Sequence, residues 1–97
     1  MKSIIQPDEC RCYLCGINRY EHLDKHHIFG GYNRSKSEEY GLFVFLHHST
    51  CHIFGKHSVH NDYEVMEDLR RNAQLKAMDY YNWSENDFIG IFGRSWL

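Results

Sequence analysis

An α+β fold is predicted by three observations in this 97-residue sequence. Leu42-Phe43-Val44-Phe45-Leu46 is a short aromatic and β-branched run of the length a strand needs. Val65, Met66, Leu69, Ala73, Lys76, Ala77 and Tyr80 approximate the i, i+3, i+4 spacing of an amphipathic helix. Cysteine and histidine are concentrated ahead of that helix. All eight histidines lie from His22 to His60, and the four cysteines are Cys10, Cys12, Cys15 and Cys51. Chemistry is therefore expected in residues 1–61. Residues 62–97 are expected to form a helical extension packed on that core within one structural domain.

The elements follow in order. Cys10 to Gly16 reads as a tight, glycine-ended turn, and Glu21 to Phe29 as an extended segment that stops at Gly30-Gly31. Tyr32 to Tyr40 is polar and reads as a connecting loop before the Leu42–Leu46 strand. Ser49 to His60 is short and broken by Gly55. Asn61 or Asp62 can cap the long helix, whose first turns carry Glu64, Glu67 and Asp68 at the positive end of its dipole. Ser84-Glu85-Asn86-Asp87 is a cap for a second short helix through Phe92, ended by Gly93. The apolar end, Phe88 to Leu97, either folds back over the domain or packs against a second copy, so a homodimer is one expectation.

Composition excludes several classes. The longest purely apolar run is Leu42–Leu46, far short of the ~20 residues of a membrane span, so no membrane partner is expected. The N-terminal residues lack a signal-peptide core, which points to the cytoplasm. In a reducing compartment, clustered cysteines more often bind metal than form disulfides. The net charge of −2 argues against a nucleic-acid partner, but it is unevenly spread: residues 1–61 carry +1 and residues 62–97 carry −3. A neutral or positive face can therefore exist despite the total.

Cys12-x2-Cys15 places two thiolates on one turn, the bite of a tetrahedral zinc. His48-Ser49-Thr50-Cys51 has the same spacing, with one imidazole in place of a thiolate. Together they predict a structural Zn2+ on Cys12, Cys15, His48 and Cys51. His47 competes with His48 as fourth ligand, and Cys10 is a spare thiol nearby. Such an ion closes a loop in a chain short of core.

The remaining histidines form a second group. His26-His27 ends the first extended segment, His52 follows Cys51, and His60 stands near the mouth of the helix. Adjacent side chains on a strand point to opposite faces, although a distortion at the strand end could bring both imidazoles to one site. Tandem histidines, a hairpin, then Cys-His entering a helical segment, all bracketed by a zinc knuckle, resemble the HNH (ββα-metal) endonucleases. The likeness covers about Cys12 to Asn61. The runs Leu23-Asp24-Lys25-His26-His27-Ile28-Phe29-Gly30-Gly31, Asn33-Arg34-x-Lys36-Ser37-Glu38-x-Tyr40-Gly41-Leu42 and Val59-His60-Asn61 are similar to small phage and prophage HNH proteins. Those proteins are related to the recombination-enhancement, RecA-dependent nucleases.

The resemblance implies a small ββα-metal domain with a zinc knuckle and a C-terminal helical tail. It implies metal-dependent hydrolysis of DNA, with 5′-phosphate and 3′-hydroxyl products. His27 would be the general base, His26 and His52 ligands of a catalytic divalent ion, and His60 a third ligand, with His57 a weaker competitor. It further implies a bacterial host cell, phage or prophage origin, and a recombination filament as a partner. The departure is the motif asparagine: Gly41 or Phe43 stands in its place, and Asn33 or a backbone carbonyl is the substitute that could hold His27.

The residue types suit that chemistry on their own terms. Histidine titrates near neutrality, as a base that activates water must. A cation held by imidazoles offsets the negative charge that builds on phosphate and leaving oxygen. Mg2+ or Mn2+ is the expected catalytic ion, with Zn2+ or Ni2+ suited to imidazole ligands. Arg34 and Lys36 are candidate DNA-backbone contacts. Two other classes are weighed: a non-catalytic zinc-stabilised DNA-binding module, and a CxxC oxidoreductase, for which the βαβ setting is missing.

Overall fold

The chain's most apolar run, Leu42–Leu46, lies almost entirely within one strand of a two-stranded sheet, buried among the other elements. The computed structural model describes residues 2–7, 11–16, 22–53 and 55–97. Strand β1 (Leu23–His27) pairs antiparallel with β2 (Phe43–His47), in a register that sets His26 opposite Val44 and His27 opposite Phe43. Side chains alternate across a strand, so Lys25, His27, Phe43, Phe45 and His47 share one face. Asp24, His26, Val44 and Leu46 share the other. Val44 and Leu46 are fully buried and belong to one core cluster with Ile28, Phe29, Leu69, Ala73, Ala77, Phe88 and Phe92.

The outer edge of β2 is not left open to other chains. The Ser3 hydroxyl donates to the Phe43 carbonyl, the Gln6 side-chain oxygen accepts from Phe45 N–H at 2.8 Å, and Tyr13 N–H donates to the Phe45 carbonyl at 2.8 Å. The N-terminal residues thereby cover a strand edge that would otherwise template aggregation. Gly41 allows the approach. It has φ +73°, and a Cβ there would lie 2.6 Å from the Lys2 carbonyl oxygen.

The segment from Tyr32 to Tyr40 is not a plain loop. A 3-10 turn over Gly31–Asn33 leads into helix α1 (Arg34–Glu39). Its sequence is polar all round, so periodicity gives no signal; the anchor is Ser37, fully buried, which accepts from Phe29 N–H and donates to the Leu42 carbonyl. After β2, a π-helical turn over His48–Ile53 carries Cys51 and His52.

Helix α2 (Tyr63–Tyr81) is capped by Asp62, whose carboxylate accepts from Glu64 and Val65 N–H, and it ends at Asn82 in the left-handed region. Its buried face comprises Leu69, Ala73, Gln74 and Ala77. The expected positions Lys76 and Tyr80 are exposed instead. Gln74 takes their place because its amide is satisfied: it donates to Ser95 Oγ at 2.9 Å and accepts from Trp96 N–H at 2.7 Å. A buried amide is tolerated when both ends are paired.

Helix α3 (Glu85–Phe92) starts with the capping box of Ser84 and Asp87. It folds the apolar end back over the domain, with Phe88, Phe92 and Trp96 clustered around Phe29 at ring centroid distances of 5.5, 4.9 and 4.7 Å. The architecture is thus α+β, with a two-stranded sheet and helices among the described residues. No helix among the described residues is long and apolar enough to cross a membrane.

Candidate functional site

The two faces of the hairpin carry two different clusters. On the β2 side, the ligand atoms of Cys12, Cys15, His47 and Cys51 all lie within 4.8 Å of one another. His47 Nδ1 is 3.3 Å from Cys15 Sγ and 4.0 Å from Cys51 Sγ. Donors around one tetrahedral zinc stand roughly 3.5–3.8 Å apart, given Zn–S near ~2.3 Å and Zn–N near ~2.0 Å, so this group fits a metal ion such as zinc.

The fourth member is His47 and not His48. The expectation from the x2 spacing is corrected by the pleat of β2: His47 shares a face with Phe45, while His48 leaves the strand on the other side. There its Nδ1 donates to Asp24 Oδ2 at 2.6 Å. Cys10 lies outside the described residues.

The thiols answer to their crowding. Burial works to raise the Cys12 thiol, but backbone hydrogen bonds at Cys15 and His47 bring it below its ordinary value. Cys51 is pushed up to about 12 by burial and by the neighbouring sulfurs of Cys12 and Cys15. Sulfurs this close cannot all ionise without a cation between them, which is the condition a bound metal satisfies.

On the opposite face stand His26, His52 and His60, whose donor atoms also lie within 4.8 Å of one another. Their ring centroids are 5.1, 5.5 and 4.6 Å apart, and His52 Nε2 is 3.0 Å from His60 Nε2. Two nitrogens bound at ~2.0–2.1 Å to one ion stand roughly 2.8–3.4 Å apart between octahedral and tetrahedral angles, so the 3.0 Å spacing of His52 and His60 fits a shared cation. His26 Nε2 is buried without a hydrogen-bond partner among the described residues. Burial, then the charges of His52, His60 and Arg70, push the His26 imidazole down to about 3, leaving it neutral with a free lone pair. Burial and the same neighbours, His52 and Arg70, also lower His60.

Asp24 aims this cluster. His52 Nδ1–H donates to Asp24 Oδ2 at 2.9 Å, which fixes the tautomer and turns Nε2 toward His60 and His26. A carboxylate behind a ligating histidine is the usual support of such sites. Although burial works against ionisation, the hydrogen bonds from His52 and His48 hold the Asp24 carboxyl below its ordinary value.

His26 and His27 alternate as strand neighbours must. His27 points to the Phe43 face, where its Nε2 lies 2.9 Å from Glu38 Oε1. Asn33 does not hold His27; its side chain donates to the Phe92 carbonyl instead. Glu38 is kept ionised by the His27 hydrogen bond and by Lys25, 3.0 Å away. With Nε2–H donated to the carboxylate, His27 Nδ1 carries the basic lone pair.

Both histidines nevertheless border one cavity of about 290 Å³, because β1 ends there. That cavity is lined by His26, His52 and His60 together with His27, Arg34 and Arg70. Lys36 is not among these residues: its Nζ donates to the Ile91 carbonyl at 2.6 Å. His57 is turned away, exposed and paired with Asp62 at 2.9 Å.

Arg70 had no signal in the sequence beyond a place on the long helix. It pairs with Glu67 at 3.1 Å, and its Nε is buried with no partner among the described residues. Asp24 and Glu38 were equally hidden, since each meets its histidine only through the fold.

Comparison with known proteins adds no relative: no family model matches the chain, and neither a curated protein nor a solved structure is significantly similar to it.

Proposed function

We propose that the chain is a metal-dependent endonuclease of the HNH kind, hydrolysing phosphodiester bonds of DNA. The observation that carries this reading is the single cavity in which three imidazoles able to hold a cation meet a fourth histidine and two arginines. Neutral nitrogen donors, an imidazole base and guanidinium groups are the set that a phosphodiester demands.

In this reading His26, His52 and His60 hold a divalent ion, Mg2+ or Mn2+ first and Zn2+ or Ni2+ as the ions that imidazole favours. When bound, the ion supplies positive charge to the phosphate and to the leaving oxygen. His27, held through Nε2 by Glu38, accepts a proton from water at Nδ1. Arg34 and Arg70 face the cavity from α1 and α2 and hold the anionic phosphate. Asp24 keeps His52 in the ligating tautomer. Cys12, Cys15, His47 and Cys51 carry a structural zinc that fixes β2 to the N-terminal residues. The pairing of His27 with Glu38 takes over the positioning task that the motif asparagine has in the resemblance.

The test is incubation of supercoiled plasmid with the purified chain and Mg2+ or Mn2+, beside a His27→Ala variant. Cleavage by the parent, reduced at least ~100-fold in the variant, is the expected result. Equal cleavage by both would refute the role of His27. A chain that binds zinc and shifts DNA but cleaves none under either ion would be a zinc-stabilised binding module.

A further inference from the structure

We propose that the open recess beside Tyr32 receives an unpaired nucleobase whose adjoining phosphate occupies the histidine cavity, so that the substrate is single-stranded or locally unpaired DNA. The phosphate's placement rests on the nuclease reading above; the base site adds the form of DNA that is recognised.

The recess measures about 450 Å³ and is lined by His27, Gly31, Tyr32, Arg34, Ser35 and Glu38. It shares His27, Gly31 and Arg34 with the histidine cavity, so the two spaces adjoin along one wall. Arg34 lines both spaces, where a phosphate joining them would lie.

Tyr32 is 90% exposed. Tyr40, by contrast, packs on Tyr81 and Trp83 at 5.5 and 5.0 Å. A lone exposed aromatic residue needs no explanation in itself. Tyr32 differs by standing on a tethered turn at the edge of a recess. Gly31 turns the chain with φ +57°. Asn33 Nδ2 donates to the Phe92 carbonyl at 2.9 Å, and Lys36 Nζ donates to the Ile91 carbonyl at 2.6 Å. The two bonds tie the turn and α1 to the end of α3. The same Lys36 ammonium sits 5.3 Å from the centre of the Tyr32 ring. Backbone tethered in this way presents the ring at a set place beside the histidine cavity.

Stacking on an aromatic ring is tolerant of base identity, since every base has a π-face. In an intact duplex those faces are already occupied by neighbouring bases. A platform beside the phosphate site therefore selects a base that is out of the stack.

Binding of the zinc-loaded full chain to a short labelled oligothymidine and to a blunt duplex of equal length, read by anisotropy without added Mg2+ or Mn2+, tests the proposal. A gel run afterwards checks that both probes are intact. The parent should bind the single strand more tightly than the duplex. Tyr32→Ala should weaken single-strand binding about 10-fold, ~1.4 kcal/mol, with duplex binding unchanged, and Tyr32→Trp should restore it. Because the ring lies outside the core, the melting temperature of both variants should match the parent. Equal single-strand binding by parent and Tyr32→Ala, tighter binding of duplex, or no binding of either probe would overturn the proposal. Tyr32-dependent binding in a chain that hydrolyses no DNA under any divalent ion would instead refute the nuclease reading and leave the base site standing.

Discussion

Adjacent histidines do different work here because a strand sends neighbouring side chains to opposite faces. His47 meets the thiols and His48 meets Asp24; His26 joins His52 and His60, while His27 meets Glu38. The spacing of the cysteines was legible in the sequence, since Cys12, Cys15 and Cys51 do converge. The choice of histidine was not, because it depends on where β2 ends and the π-helical turn begins. Glu38 offers a test at this scale. Its carboxyl is held below its ordinary value of 4.5, first by His27 and then by Lys25. Between the folded value and 4.5 the unfolded chain binds more protons, so this contribution to stability rises with pH. It is complete above about 4.5 and is lost as pH falls through the folded value. Glu38→Gln should therefore be less stable than the parent at neutral pH, by under ~1 kcal/mol because the side chain is 41% exposed. Denaturant unfolding should show that difference vanish in acid. A difference that persists unchanged at low pH would contradict the account.

Among the elements, β2 was readable from its unbroken apolar run, α2 from its helical apolar spacing and α3 from its cap and glycine stop. Helix α1 was not. Its residues, Arg34 to Glu39, include none that is apolar, and its hold on the fold is the buried hydroxyl of Ser37. Gln74 escaped for a related reason: an amide reads as surface until Ser95 and Trp96 are brought to it. The connection from α1 to β2 carries the element-scale prediction. Ile4 N–H donates to the Gly41 carbonyl at 2.9 Å, and a Cβ on Gly41 would meet the Lys2 carbonyl in a backbone conformation that favours glycine. Gly41→Ala should destabilise the domain by ~1–3 kcal/mol, seen as a fall in Tm of ~4–8 °C per kcal/mol. An unchanged Tm would mean that the N-terminal residues do not pack along β2 as described.

For the molecule as a whole, the excess of histidine and cysteine separates into two clusters on opposite faces of a two-stranded sheet. The sheet is small, and the helical part that covers it carries the −3 share of the net charge. That part also contributes Arg70 to the histidine cavity, so the tail supports the site as well as the core. Under the function proposed above, the two clusters hold separate ions with separate tasks, one bracing and one hydrolytic. Counting bound ions per chain by native mass spectrometry, with Tm recorded alongside, tests it most directly. Two ions are expected in the parent, one in His52→Ala with Tm nearly unchanged, and one in His47→Ala with Tm lowered by more than ~10 °C. A single ion in the parent at saturating metal, or loss of the same ion in both variants, would contradict it.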